Sequence, residues 1–348
     1  MLGNLRHLQQ LSKVIPSNYS PIPKFTFRQI TDHNNLHHIE KLQQQTKNLL
    51  ENSVTTDDDL PDDVGPSSRK ERRKPRHPKK DEADLGPGVD LSDKSVLLFP
   101  GQGAQFVGMG ARLLEVSSVR EMFEQASQIL NYDLLKVCLE GPRSLLDQTR
   151  HCQAATVVTS LAAVELLYQQ QPDLIRNCLA VAGFSVGEIT AAIFSGALSF
   201  GEGIQLVKVR GEAMQAASEL EESGMMTVFF GADNQLGFGC EVAREFVRRH
   251  HDIESPVCQV ANHLYCGAKV LGGHTLALNF IAENKSDFKI RKIAKLPVSG
   301  AFHTPLMEPA VESFRVALSN TKVVDPRVPL YSNYDNMWVS NKTKQNNF

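Results

Sequence analysis

No CxxC pair occurs among the six cysteines of this 348-residue chain. Cys258 and Cys266 are spaced for no common zinc site. Cys138, Cys152, Cys178, Cys240, Cys258 and Cys266 therefore read as free thiols in a reducing compartment, with no metal cage expected. No apolar run is long enough to span a bilayer, so stable membrane insertion is not expected. A formal charge of -2 at pH 7 gives no overall pull toward nucleic acid. The phosphate-binding G-x-x-x-x-G-K-[ST] loop is absent. Acidic residues are missing from positions 1–31, where Arg6, Lys13, Lys24 and Arg28 stand among leucines at Leu2, Leu5, Leu8 and Leu11. A basic, amphipathic, acid-free start with no unbroken apolar core excludes a secretory signal and reads as a mitochondrial transit peptide.

Positions 32–93 hold DDDLPDD and, a few residues on, RKERRKPRHPKK. Neither block can bury a core, and their opposite charges suggest a polar linker. Ordered structure is expected from KSVLLFPGQG, where Ser95 to Phe99 is a short buried strand and Pro100 to Gly103 a turn. Helices are expected near 106–116, 120–130 and 133–139, and a buried one over 153–169. A strand at 178–183, a helix at 187–197 and a longer helix at 201–222 follow. From 224 the order becomes strand, helix, strand, strand, helix, strand, ending near 297. That is the split βαβ order of a small ferredoxin-like domain. The expected fold class is α/β: a large domain over 94–223 and 298–348, carrying a subdomain over 224–297. VPLYSNYD at 328–335 is a further strand candidate, and the stretch after it has no period.

The residues VAGFSVGE at 181–188 join an apolar strand to an Ala-rich helix. Gly183-Phe184-Ser185-Val186-Gly187 matches the G-x-S-x-G elbow, which lifts a serine out of a strained turn. The alternative is a small residue that lets the helix approach the strand. A nucleophile needs a base and an oxyanion hole. A helix starting at Val186 aims its N–H groups at the point of attack, and the Val186 N–H is one donor. The second is expected from the Pro100-Gly101-Gln102-Gly103 turn, which also follows a strand.

His303, in LPVSGAFHTPLMEP, lies between a strand and a helix and is the candidate base. His7, His33, His37 and His38 lie in the tail, and His250 and His251 end a polar helix. His151 and His274 stand near helix starts and stay open by pattern. An α/β-hydrolase would also place an acid between serine and histidine, and the sequence pattern identifies none. Either a carbonyl orients the imidazole or the chemistry is not hydrolysis. Arg210 sits among apolar residues at helical spacing and reads as a fork for a substrate carboxylate.

Taken together, PGQG at 100–103, GFSVGE at 183–188, Arg210 and GAFH at 300–303 resemble the malonyl-CoA:acyl-carrier-protein transacylase family, most closely its mitochondrial members. Four blocks in the family order, from about residue 94 onward, carry the resemblance. It implies an α/β-hydrolase-like large domain with a ferredoxin-like insert, and a malonyl-Ser185 ester formed from malonyl-CoA. It also implies His303 as base, the Gln102 and Val186 N–H groups as oxyanion hole and Arg210 on the malonyl carboxylate. The phosphopantetheine thiol of acyl carrier protein would be the acceptor, in the mitochondrial matrix, with no cofactor. The family runs on for several dozen residues past the point matching Tyr331-Ser332-Asn333, adding a core strand, a helix and a carbonyl that orients the histidine. The chain is accordingly expected to be marginally stable and weakly active. A thioesterase, a transferase for another acyl group, and an inert coenzyme A or carrier binder are the alternatives.

Overall fold

A parallel pair of strands sets the frame. β1 (Ser95–Phe99) and β2 (Cys178–Gly183) lie side by side, with Phe99 opposite Gly183. The turns that leave both strands are therefore neighbours at one edge, where α/β proteins place their ligands. The structure, a computed structural model, describes residues 92–334 and 338–339. The expected transit segment 1–31 and all but the end of the 32–93 linker lie outside the described residues.

Between β1 and β2 run α1 (Ser117–Leu130), α2 (Leu134–Glu140), α3 (Arg143–Leu146), α4 (Thr149–Gln170) and α5 (Pro172–Arg176). After β2 come α6 (Gly187–Phe194) and α7 (Phe200–Leu220). β7 (Leu330–Tyr331) adds to β2 in parallel, with Val181 opposite Leu330, and β8 (Trp338–Val339) pairs antiparallel with β7. The core of this part is continuous. Phe123 and Leu130 of α1, Val157 and Val158 of α4, Val181 of β2, Ile189 of α6 and Ile204 and Val207 of α7 all belong to it. α4 is buried along its first three turns, as an apolar run with no polar face requires.

A second sheet is antiparallel throughout. Its strands β3 (Ser223–Phe230), β4 (Cys258–Tyr265), β5 (Ala268–His274) and β6 (Ile290–Lys295) stand in the order β4-β5-β3-β6. α8 (Leu236–His250) and α9 (Thr275–Glu283) cover one face, burying Val247 and Ile281 against Met226, Val228 and Leu271. A third apolar cluster joins α7 to this sheet. Met214 and Ala217 meet Met225, Val270 and Phe302, together with Met307 and Ala310 of a 3-10 turn at Pro305–Ala310. α10 (Val311–Ser319) continues from that turn.

Two local expectations are corrected. The helix expected near 106–116 is a single 3-10 turn, Ala111–Glu115. Gly108 at φ 93° and Gly110 at φ 88° put left-handed bends where a helix would need right-handed residues. The stretch after 335, read as having no period, contributes the β8 rungs. Among the described residues, no helix is long and apolar enough to cross a membrane.

Candidate active site

The elbow is built by crowding. A Cβ on Gly183 would stand 1.9 Å from the Gly187 carbonyl oxygen, and one on Gly187 would stand 2.4 Å from that of Phe99. Only hydrogen fits at either place, so α6 can start directly on top of β1 and β2. Ser185, between these glycines, has φ 55°, the left-handed region. For a residue with a side chain that strain is of order 1–3 kcal/mol and persists only where neighbours enforce it. The Phe184 N–H donates to the Phe99 carbonyl at 2.9 Å, and the Gly187 N–H to the Phe184 carbonyl at 2.9 Å.

Two side chains converge on the Ser185 hydroxyl. His303 Nε2 lies 3.2 Å from Oγ, and Arg210 Nη2 donates to Oγ at 3.0 Å. A guanidinium can only donate, so Oγ accepts from Arg210 and its own hydrogen is free for the imidazole. This assigns the tautomer with the proton on Nδ1. Among the described residues Nδ1 has no hydrogen-bond partner, so no carboxylate completes a triad there. His303 itself has φ 60°. The loop that presents it is closed by Thr304, whose hydroxyl donates to the Ala301 carbonyl at 2.6 Å and accepts from the Leu306 N–H.

Arg210 comes from the middle of α7 and is buried, with Nη1 donating to Gln153 Oε1 of α4 at 2.7 Å. Burial lowers its pKa to about 10, while the nearby Glu188 carboxylate acts the other way. It stays protonated at neutral pH. Crowding by the protein pushes the His303 pKa down to about 4, and the Arg210 charge adds to the effect. The imidazole is therefore neutral at pH 7 and able to accept a proton.

The Pro100–Gly103 turn lies beside the elbow, as the β1–β2 register requires. Gln102 Nε2 reaches Thr149 Oγ1 at 3.5 Å, and Thr149 Oγ1 shares a 2.8 Å hydrogen bond with Ser299 Oγ. The Gly103 N–H donates to Gln105 Oε1, whose amide in turn donates to Asp147 Oδ1 at 2.7 Å. The turn is thus tied to the start of α4. Among the described residues, neither the Gln102 N–H nor the Val186 N–H donates to a group of the protein.

A cavity of about 180 Å³ lies over the hydroxyl, bounded by Arg210, His303, Glu188, Phe314, Asn333 and Tyr334 among others. A larger, mostly apolar hollow, about 450 Å³ among α1, α4 and α6, is lined by none of Ser185, Arg210 and His303. The other histidines the sequence left open have structural places. His274 is buried, and its Nδ1 accepts from the Val257 N–H at 2.8 Å. His151 packs edge-on against Tyr132, where burial lowers its pKa.

Three residues of the site had no assigned role in the sequence reading. Gln153 is an interior polar residue of an apolar helix, which is a usable signal. Glu188, buried at the start of α6, closes the GFSVGE block. Asn333 carries no local signal at all. Its side chain accepts from the Ser185 N–H at 3.0 Å and donates to the Gly183 carbonyl at 2.7 Å, while its own N–H donates to Glu188 Oε1 at 3.0 Å.

An elbow serine flanked by an imidazole and a buried guanidinium can be compared with known proteins. The acyl transferase domain family matches residues 96–236. The human mitochondrial malonyl-CoA-acyl carrier protein transacylase is 52% identical over 239 residues, 69% of this chain and 61% of that protein. The Bacillus subtilis malonyl CoA-acyl carrier protein transacylase is 32% identical over 243 residues, 69% of this chain and 72% of that protein. The chain belongs to the malonyl-CoA-acyl carrier protein transacylase family. The solved structure of the transacylase from Coxiella burnetii superposes with a TM-score of 0.63 at 30% identity, covering 72% of this chain and 77% of that one. An α/β fold is common to the family and this chain. The chain spans less than two thirds of the length of the human transacylase.

Proposed function

We propose that the chain transfers malonyl from malonyl-CoA to the phosphopantetheine thiol of acyl carrier protein through a malonyl-Ser185 ester. The observation that carries this is the Ser185 hydroxyl held between a neutral imidazole at 3.2 Å and a buried guanidinium at 3.0 Å. The relatives bear transacylase names of the same substrate pair.

In the first half-reaction Ser185 Oγ attacks the thioester carbonyl and His303 Nε2 takes the hydroxyl proton. The oxyanion is held by the Gln102 and Val186 N–H groups, each donor being worth about 3 kcal/mol of barrier. The C–S bond then breaks, and the thiolate of coenzyme A leaves with the proton from the imidazolium. In the second half the carrier thiol gives its proton to His303, its sulfur attacks the ester carbonyl, and Ser185 Oγ leaves and is reprotonated. Thioester to ester to thioester is close to neutral, so positioning and charge placement suffice.

Arg210 swaps its bond from Oγ to the malonyl carboxylate, which a fork of two N–H donors holds in one orientation. Pairing the guanidinium also offsets the larger of the charge effects that hold the imidazole pKa down, burial being the first cause. The charged acyl group thereby makes its own base stronger. We further assign the large domain (94–223 and 298–348) as α/β-hydrolase-like and residues 224–297 as a ferredoxin-like subdomain. The parallel β1–β2–β7 set and the antiparallel β4-β5-β3-β6 order support this. The mitochondrial matrix is the assigned compartment, from the basic acid-free start and the mitochondrial relative.

Mixing the chain with malonyl-CoA and weighing the intact protein tests the reading. A malonyl adduct in the parent that is lost in S185A is expected. Binding of malonyl-CoA without an adduct would overturn it.

A further inference from the structure

We propose that Asn333 is a positioning residue for the nucleophile, and that its side-chain amide replaces a main-chain rung of the parallel sheet. The inference rests on the acyl-transfer reading of Ser185. It concerns how the elbow is held open.

In a parallel ladder, a residue opposite position i donates to the carbonyl of i−1 and accepts from the N–H of i+1. β7 pairs with β2 in the register Val181 with Leu330 and Ala182 with Tyr331. Continued by two residues, that register sets Phe184 opposite Asn333. At Phe184 the strand has already turned into the elbow, and the main chain of Asn333 is engaged elsewhere, its N–H on Glu188. The side chain takes over. It donates through Nδ2 to the carbonyl of Gly183 and accepts through Oδ1 from the N–H of Ser185. Those are the two groups that a partner of Phe184 would use. One amide thus closes the ladder one rung beyond the strand, on the peptide groups either side of the bend.

The consequence for Ser185 is direct. Its left-handed φ needs neighbours that enforce it. Asn333 pins the carbonyl before the bend and the N–H at it, so rotating that peptide would break a hydrogen bond. The Asn333 N–H on Glu188 Oε1 extends the hold to the carboxylate whose charge bears on Arg210. Asn333 also borders the cavity over the hydroxyl, so it acts within the site without contacting Oγ.

The chemistry of the pair makes the claim testable by pH. An amide offers two N–H donors and an acceptor oxygen, and this clamp uses one donor and the oxygen. An ionised carboxylate gives acceptors only and would face the Gly183 carbonyl oxygen across 2.7 Å, whereas a protonated carboxyl restores the donor. The full chain is therefore compared with N333A, N333D and the control N320D, at an exposed residue that caps α10 and makes none of these bonds. Two probes are used: malonyl-CoA, and a fluorophosphonate that needs only a nucleophilic serine. Intact mass gives the labelling rates at pH 5 and pH 7.5, and thermal melting reports folding.

Expected are a 10- to 100-fold slower rate for both probes in N333A, with the half-saturating malonyl-CoA concentration within about threefold of the parent. N333D should match N333A at pH 7.5 and regain at least fivefold of the deficit, relative to the parent, at pH 5. A merely structural loss would lower melting in both variants and leave their pH profiles parallel to the parent, which overturns the proposal. So does labelling of N333A within twofold of the parent. If the parent takes fluorophosphonate on Ser185 but no malonyl, the acyl-transfer reading fails and the positioning role is still decided by the fluorophosphonate rates. Absence of both labels in the parent sinks the two together.

Discussion

A base beside a cation is weakened in proportion to how well that cation is kept from water. His303 and Arg210 meet at one hydroxyl, and the imidazole pKa falls to about 4, through desolvation first and the guanidinium second. A histidine is competent as a base only when neutral, so a depressed pKa extends competence to lower pH. The acid limb of kcat/KM for malonyl-CoA should then lie near pH 4 in place of the ordinary 6.5. R210A removes the second cause and leaves the first, so the limb should move upward without reaching 6.5. Loading of malonyl should fall about 10- to 100-fold, the range for a lost charge-assisted bond, while acetyl loading changes little. A limb that stays in place in R210A would contradict the electrostatic coupling. The same shift bears on stability with a definite sign. Between the folded value and 6.5 the unfolded chain binds a proton that the folded chain does not. Stability therefore declines as pH falls through that window, and H303Q should flatten that slope in melting measured from pH 7 to pH 4.5.

At the level of elements, the join between β2 and α6 is set by steric exclusion. The Gly187 Cβ position is blocked by the Phe99 and Pro100 carbonyl oxygens, which are backbone and have no rotamer to escape into. G187A should cost about 1–3 kcal/mol, typical of overpacking a filled site. It should also slow serine labelling more than its stability loss explains, because α6 must shift to make room. Melting and fluorophosphonate rates measured together check this; an unchanged labelling rate would argue against steric control. The same sterics explain why this join was readable in the sequence: glycine at fixed offsets from a serine is a local rule. The histidine loop was readable for a similar reason, as a strand end before Pro305. The expected helix near 106–116 failed because the apolar pattern continues through Gly108 and Gly110, whose φ values a pattern does not show. Asn333 was illegible because its role follows from the register of β7 on β2, between residues 148 positions apart.

For the molecule as a whole, one face of β1 presents two apolar side chains to solvent. Val96 is 56% exposed and Leu98 75%, and β1 ends the strand order of its sheet among the described residues. Exposed apolar side chains on an edge strand invite pairing with another copy. L98T with V96T should reduce concentration-dependent association in sedimentation while leaving melting within about 0.5 kcal/mol of the parent, since neither side chain is buried. Association that persists unchanged in the double variant would place the contact elsewhere. Neither charge nor pattern foretold this surface: the chain is nearly neutral, and the unbroken apolar run Val96–Phe99 reads as a buried strand, whereas the structure exposes every second residue of it. Two-sheet architecture was legible as element order, whereas the lateral order β4-β5-β3-β6 follows only from pairing.

The separation between Ser185 and its clamp also has a consequence in time. A ribosome adds about 5–20 residues each second, so Asn333, 148 residues downstream, is synthesised roughly 7–30 s later. Throughout that interval the nascent chain carries its serine without the amide that braces it. The reactive hydroxyl is thus braced only after every strand of the small antiparallel sheet, Ser223 to Lys295, has been synthesised.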